Sequence, residues 1–283
     1  MSPTLRSHRY GKQRIRLTHL DRSTTPHRLT IAALGVTLEG DFAASYTAGD
    51  NRNVVATDSI KNTVYVFARE RGVESIEALG VALALHFVDA YAQVSAARIE
   101  LEEEIWTPIE SDAGAFPDAF ERVASEVGIA AVDLDAGGLA VSSGIEQLQV
   151  LKSAHSGFAR FVRDRFTTLP DVEDRLFATS VSARWRLLDG ASSAVDYRAL
   201  RTGVRRVLTD TFGRHESLAV QQTLHAMGAA VLEHFPAVAE ITLVLPNQHH
   251  LLANLAPFGL DNPNQVFVGT DEPFGQIEAT IVR

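Results

Sequence analysis

The sequence predicts an α+β protein made of two tandem units, each an antiparallel sheet with helices. Three features of the chain carry that expectation. Over residues 97–107 the side chains alternate, with Ile99, Leu101, Glu103 and Ile105 on one side and Arg98, Glu100, Glu102, Glu104 and Trp106 on the other. A period of two marks a strand, here one with an acidic face. Upstream, Ile76, Leu79, Val81, Leu83, Phe87, Val88 and Tyr91 form an apolar face behind Glu74 and Ser75, the pattern of a helix with its start. The same order then returns: residues 217–235 read as a helix through Leu218, Val220, Leu224, Met227, Val231 and Leu232, and residues 240–245 as a strand. Ser75 and Ser217 are separated by 217 − 75 = 142, and Ile99 and Ile241 by 241 − 99 = 142. A repeat without a gap over about half the chain is the mark of a duplicated strand-strand-helix-strand unit. Pro108 and Pro246 are expected to end the two repeated strands.

The remaining elements follow from local pattern. Residues 12–19 alternate around Ile15 and Leu17 and read as a first strand. Residues 29–46 carry Ile31, Val36 and Leu38 around Gly35 and Gly40, a second strand with room for bulges at its glycines. Residues 63–68 fit a strand or a helix. The Asp-, Gly- and Ser-rich residues 132–144 read as turns between the halves, and residues 145–150 and 176–188 as further strands. Long strands with amphipathic faces predict sheets that associate further, into a barrel between subunits.

Composition narrows the function. A hydrophobic content of 46% and a charged content of 22% are those of a soluble globular protein. With 26 Lys+Arg against 35 Asp+Glu the net charge is -9, which argues against a nucleic-acid partner. An anionic ligand therefore needs a local cation. Cysteine is absent, so no disulfide, thiolate metal site or cysteine nucleophile exists. Residues 1–10 are basic without an apolar core, so no secretory signal is expected. The apolar residues 78–88 are interrupted by His86 and fall short of the ~20 residues that span a bilayer. The C-terminal Ile281-Val282-Arg283 is not a peroxisomal address. A cytoplasmic protein with no membrane partner is expected.

Five groups of residues are candidates for chemistry. They are Tyr10-Gly11-Lys12; Val55-Ala56-Thr57-Asp58-Ser59; Leu151 onward through His155, Ser156, Gly157 and Phe158, with Arg175 downstream; Val220-Gln221; and Pro246-Asn247-Gln248-His249-His250. Thr57-Asp58 offers a hydroxyl, a carboxylate and two backbone N–H groups, or simply a helix start with Thr57 or Asp58 as N-cap. Adjacent His249 and His250 on a strand point to opposite faces and do not readily share an ion. A nucleophilic elbow and a dinucleotide fingerprint are both missing.

Together, in this order and across nearly the whole chain, these groups resemble the urate oxidase (uricase) family. The resemblance implies the tunnelling fold: tandem T-fold units, here residues 8–140 and 141–283, with helices packed on one face of each antiparallel sheet. Dimers then close a β-barrel between subunits, and two dimers stack as a homotetramer around a tunnel, with active sites between subunits. It implies oxidation of urate by dioxygen to 5-hydroxyisourate and hydrogen peroxide, with no cofactor and no metal. Residue by residue, it implies Arg175 and Gln221 paired to the purine edges, Phe158 stacked on the ring, and a backbone contact at Val220. Thr57 and the Asp58 N–H would hold the five-membered ring from a neighbouring subunit. Lys12, Thr57 and His249 would form the proton relay, and Asn247 would position dioxygen or water. The chain departs from the family at Ala154, Gln248 and His250. Two rival readings are a T-fold protein acting on a pterin or another purine, and a catalytically dead scaffold. Duplicated length and zero cysteines oppose the first; the intact Lys12, Thr57 and His249 oppose the second.

Overall fold

The computed structural model describes residues 3–112, 114–188, 190 and 195–283. The chain divides into two units, Met1–Gly144 with Asp196–Arg198, and Ile145–Val195 with Ala199–Arg283. The first holds β1 (Tyr10–Asp21), β2 (Arg28–Gly40), α1 (Ala43–Ala48), α2 (Thr57–Arg71), α3 (Ile76–Ala90), β3 (Val94–Ser111) and β4 (Gly114–Asp135). The second takes over within β5 (Gly138–Lys152) and holds β6 (Phe177–Leu187), most of α4 (Tyr197–Arg214), α5 (Val220–His234), β7 (Val238–Leu252) and β8 (Phe267–Val282). In each unit strands adjacent in sequence are neighbours in the sheet. The paired strands β1–β2, β2–β3, β3–β4, β6–β7 and β7–β8 are all antiparallel. The α+β class read from the sequence is the observed one.

Each core is one face of a sheet closed by helices. In the first unit Val36, Ile99 and Val132 from three strands are fully buried, as are Ile60 of α2 and Leu83 and Phe87 of α3. In the second, Trp185, Phe177, Ile241 and Leu243 of the sheet are buried with Leu208 of α4 and Val231 of α5. Helix α3 starts where its side chains dictate: the Ser75 hydroxyl accepts a hydrogen bond from the Ala78 N–H at 3.1 Å. Ser75→Ala is expected to lower stability by about 1 kcal/mol, the usual worth of a serine cap, read from the denaturant midpoint.

The repeat is real in its elements, but its spacing is 144. Helices α3 and α5 have 15 residues each and begin 220 − 76 = 144 apart. Strands β3 and β7 begin 238 − 94 = 144 apart, and the buried Ala97, Ile99 and Leu101 correspond at that offset to the buried Ile241, Leu243 and Leu245. A slip of two residues keeps every strand side chain on its own face, which is why the sequence pattern tolerated an offset of 142. Beyond the four-element unit expected, the first repeat contains one more strand and two more helices, and the second one more strand and one more α-helix.

Neither proline ends its strand. Strand β3 runs on to Ser111, with Pro108 opposite Phe120. Pairing to β2 stops at Glu104, so Pro108 lies where only β4 is bonded and its missing N–H breaks no second ladder. In β7, Pro246 pairs with Gln276 of β8, while the β6 ladder skips it between Ser182↔Val244 and Thr179↔Asn247. The second strand ends at Gly40 rather than at residue 46, and residues 63–68 belong to helix α2. Residues 132–144 are mostly strand, with the turn confined to Ala136 and Gly137.

Candidate active site

The second unit places three of the candidate residues around one cleft of about 700 Å³, lined by Arg175, Asn247 and His249 together with Ser153, Asp174, Gln248 and His250. Backbone hydrogen bonds fix its walls. The Phe158 N–H donates to the Val172 carbonyl at 2.7 Å, and the Arg175 N–H donates to the Ser156 carbonyl at 2.7 Å. The Gly157 N–H donates to the Ser217 carbonyl at 2.8 Å, which ties this segment to the turn before α5. Phe158 stacks on Phe161 at 4.9 Å and lies under the Arg175 guanidinium, 5.6 Å from ring centroid to carbon.

Arg175 carries an unused donor. Its Nε is buried without a hydrogen-bond partner among the described residues, and burial pushes its guanidinium pKa down. A desolvated cation with an unused donor gains most from a negatively charged partner that brings acceptors. Asn247 and His249 reach the same cleft from β7, where the β7–β8 register shifts between them. Among the described residues no group of three or more His, Asp or Glu is arranged to hold a metal ion.

Val220 and Gln221 are the first two residues of α5, Val220 buried and Gln221 exposed. The N-cap is Ala219, which has no side-chain acceptor, so the first turn of the helix is left uncapped. The first unit repeats this device. Helix α2 begins at Thr57 behind Ala56, again without a side-chain cap. Thr57 and Asp58 are therefore not N-caps, as their sequence allowed, but the first helical residues. Their backbone N–H groups and the Thr57 hydroxyl have no partner within the described residues. An unfilled helix N-terminus favours an anionic or acceptor ligand.

Lys12 lies on β1, opposite Val36, where the strand bulges before Ile15 and Arg14 takes a φ of 56°. The Asp58 carboxyl is held below the usual carboxylate range, chiefly by its 2.6 Å ion pair to Lys61, then by the Asn62 amide, and also by Lys12. Lys12 and the start of α2 are thus electrostatic neighbours. Tyr10, which the sequence placed in a candidate group without a role of its own, makes that juxtaposition rigid. Its hydroxyl accepts from the Val55 N–H at 2.7 Å and donates to the Val55 carbonyl at 3.1 Å. Gly11 lets the strand lie close: a Cβ there would sit 1.8 Å from the Val36 carbonyl oxygen. Tyr10→Phe removes two hydrogen bonds worth about 1 kcal/mol each and should lower kcat roughly tenfold, measured in steady-state assays.

Lys12, Thr57 and Asp58 belong to the first unit; Phe158, Arg175, Val220, Gln221, Asn247 and His249 belong to the second. In the second unit Arg175, Asn247 and His249 share the cleft and Phe158 lies against Arg175, whereas Phe158, Val220 and Gln221 are not among the residues that line it.

Comparison with known proteins gives the same family by three routes. The family model described as Uricase matches residues 8–132 and 141–278. The chain is 43% identical over 279 residues to the uricase of Arthrobacter globiformis, covering 99% of this chain and 90% of that protein. It is 35% identical to a uricase-2 isozyme of Glycine max, covering 97% and 94%, and 33% identical to the uricase of Danio rerio, covering 97% and 93%. The crystal structure of the Arthrobacter globiformis uricase superposes with a TM-score of 0.92, covering 100% of this chain and 96% of that one. The Bacillus fastidious uricase, at 23% identity, shares the fold with a TM-score of 0.84 over 99% of this chain and 94% of that one. The chain therefore belongs to the uricase family.

Proposed function

We propose that the chain oxidises urate with dioxygen and water to 5-hydroxyisourate and hydrogen peroxide, using the residues gathered above and no cofactor. The observation that carries the site assignment is Arg175, a half-buried guanidinium whose buried Nε donor is unused among the described residues of an acidic chain. Urate is a monoanion at neutral pH whose carbonyl and ring nitrogen accept two hydrogen bonds side by side, and a guanidinium fork matches that pair. Gln221, on the uncapped turn of α5, donates to and accepts from the pyrimidine edge, with the Val220 backbone beside it. Phe158 stacks on the ring.

The uncapped turn of α2 supplies the opposite wall: the Thr57 hydroxyl and the Asp58 N–H hold the five-membered ring. Lys12 takes the proton that Thr57 passes on, and His249 completes the relay. Loss of a second proton makes urate reducing enough to give two electrons to dioxygen, which leaves as hydrogen peroxide, while water adds its oxygen at the ring carbon. Asn247 positions the dioxygen or the water above the ring. We read residues 8–140 and 141–283 as the two T-fold units, and the working assembly as a homotetramer with a barrel tunnel, each site taking its Lys12–Thr57 wall from one subunit and its Arg175 wall from another. Among the described residues no helix is long and apolar enough to cross a membrane. The absence of cysteine fits a reducing compartment, and we place the enzyme in the cytoplasm.

The test is to follow the ultraviolet band of urate with the purified protein in air, a chelator present and no cofactor added. Loss of the band with one peroxide per urate is expected. A flat trace from a folded oligomer would move the assignment to another purine or a pterin.

A further inference from the structure

The two helices that repeat at a spacing of 144 treat their second residue in opposite ways. In α5 it is Gln221, which is exposed; in α3 it is Glu77, which is 0% exposed. The two residues are 221 − 77 = 144 apart. The matching strand position behaves likewise. Asn247 of β7 opens onto the cleft, while its counterpart Glu103 on β3, 247 − 103 = 144 earlier, is 2% exposed. The place in the first unit that corresponds to the proposed urate site is therefore covered, and it carries two carboxylates where the second unit carries two amides.

What covers it is the front of α4. That helix has 18 residues against 15 for its counterpart α2, and ends at the corresponding point, 214 − 71 = 143. The extra length is at its start, and Asp196–Arg198 belong to the first unit. Arg198 presents its whole fork to acceptors there: Nη1 lies 3.2 Å from the Glu103 carboxylate, Nη2 donates to the Thr30 hydroxyl at 2.8 Å, and Nε donates to the Glu74 carbonyl at 2.5 Å. Tyr197 sits beside Glu77; burial, and then that carboxylate, push its phenol up to about 12. Both Glu77 carboxylate oxygens are buried without a hydrogen-bond partner among the described residues.

We propose that the first unit retains an occluded counterpart of the substrate site, filled from within the chain by Tyr197 and Arg198, with an acceptor-lined floor selective for a guanidinium-type cation. This rests on the assignment of Gln221 and Asn247 to the urate site. The second unit offers donors and takes an anion; the first offers carboxylates, a carbonyl and a hydroxyl, and repels one. Each chain accordingly binds a single purine, and Arg198 acts as a built-in ligand of the other place.

Two measurements on the full-length oligomer decide it. Equilibrium dialysis with xanthine, a purine close to urate in shape, should give one equivalent per chain. Two equivalents would overturn the occluded site, whereas no binding would sink the urate-site assignment instead. Arg198→Ala takes a cation away from the buried Glu103 carboxylate, and its Tm should fall by about 10 °C. Low-millimolar guanidinium chloride should restore at least half of that loss, while equal sodium chloride restores none. Equal responses of the variant and the unaltered protein to guanidinium would overturn the proposal. Should Arg198→Ala fail to fold, Arg198→Ala with Glu103→Gln lowers the buried charge, and it should fold and lose the specific guanidinium response. A double variant still rescued by guanidinium would equally refute the acidic floor.

Discussion

Thr57→Ala is expected to lower kcat by about 10²–10⁴, the usual worth of a positioned proton-transfer group, with little change in Tm. The pairing of those two outcomes comes from the local structure. Were Thr57 the N-cap of α2, its loss would cost about 1 kcal/mol of stability through an unsatisfied N–H. It is instead the first helical residue, exposed, with Ala56 ahead of it as N-cap. Its hydroxyl does no structural work, so turnover and stability separate. Steady-state kinetics beside a thermal melt of the same preparation would read both. Thr57→Ser, which keeps the hydroxyl, should retain most of the rate. An alanine variant with near-normal turnover would remove Thr57 from the relay.

Arg175→Gln should reduce kcat/KM by about 10²–10⁴, because two hydrogen bonds to a charged partner are worth ~1.5–3 kcal/mol each. Most of that should appear in KM, since the contact forms on binding and persists through the reaction. Lysine should not rescue it: an ammonium cannot present two parallel donors. The same substitution should leave the Tm unchanged or slightly higher. In the free protein the guanidinium is partly desolvated, its pKa depressed by burial, and its Nε has no hydrogen-bond partner among the described residues. Removing such a group relieves a cost that only the ligand repays. A large fall in Tm with unchanged KM would show that Arg175 serves the fold instead.

How much was legible in the chain depended on whether a residue's role is local. Strands with one buried face announced themselves, as around Ile99 and Leu101, because period-two burial is written in the sequence itself. Strand β8 was missed because little of it is buried: Val268, Phe274 and Val282 are all exposed, so no alternation marks it. Helix α4 was missed although Leu200, Val204, Leu208 and Phe212 recur at helical spacing and are buried, since arginines and two glycines dilute the stripe. The candidate site came from five short groups in a family's order, not from any one of them. The Tyr10 clamp on Val55 lay beyond pattern reading because it joins residues 45 apart. So did the uncapped helix starts: Thr57 and Asp58 are good capping residues, yet the tertiary structure begins the helix one residue sooner, on an alanine.

The missing thiols gain a second meaning once the reaction is set beside them. Every turnover releases hydrogen peroxide inside the protein's own site. Thiolates and exposed thioethers are the side chains that peroxide attacks first. This chain has no cysteine at all, and of its two methionines Met227 is 1% exposed, packed into the second core from the buried face of α5. A catalyst that makes an oxidant is thus left with few sulfur groups of its own for that oxidant to consume.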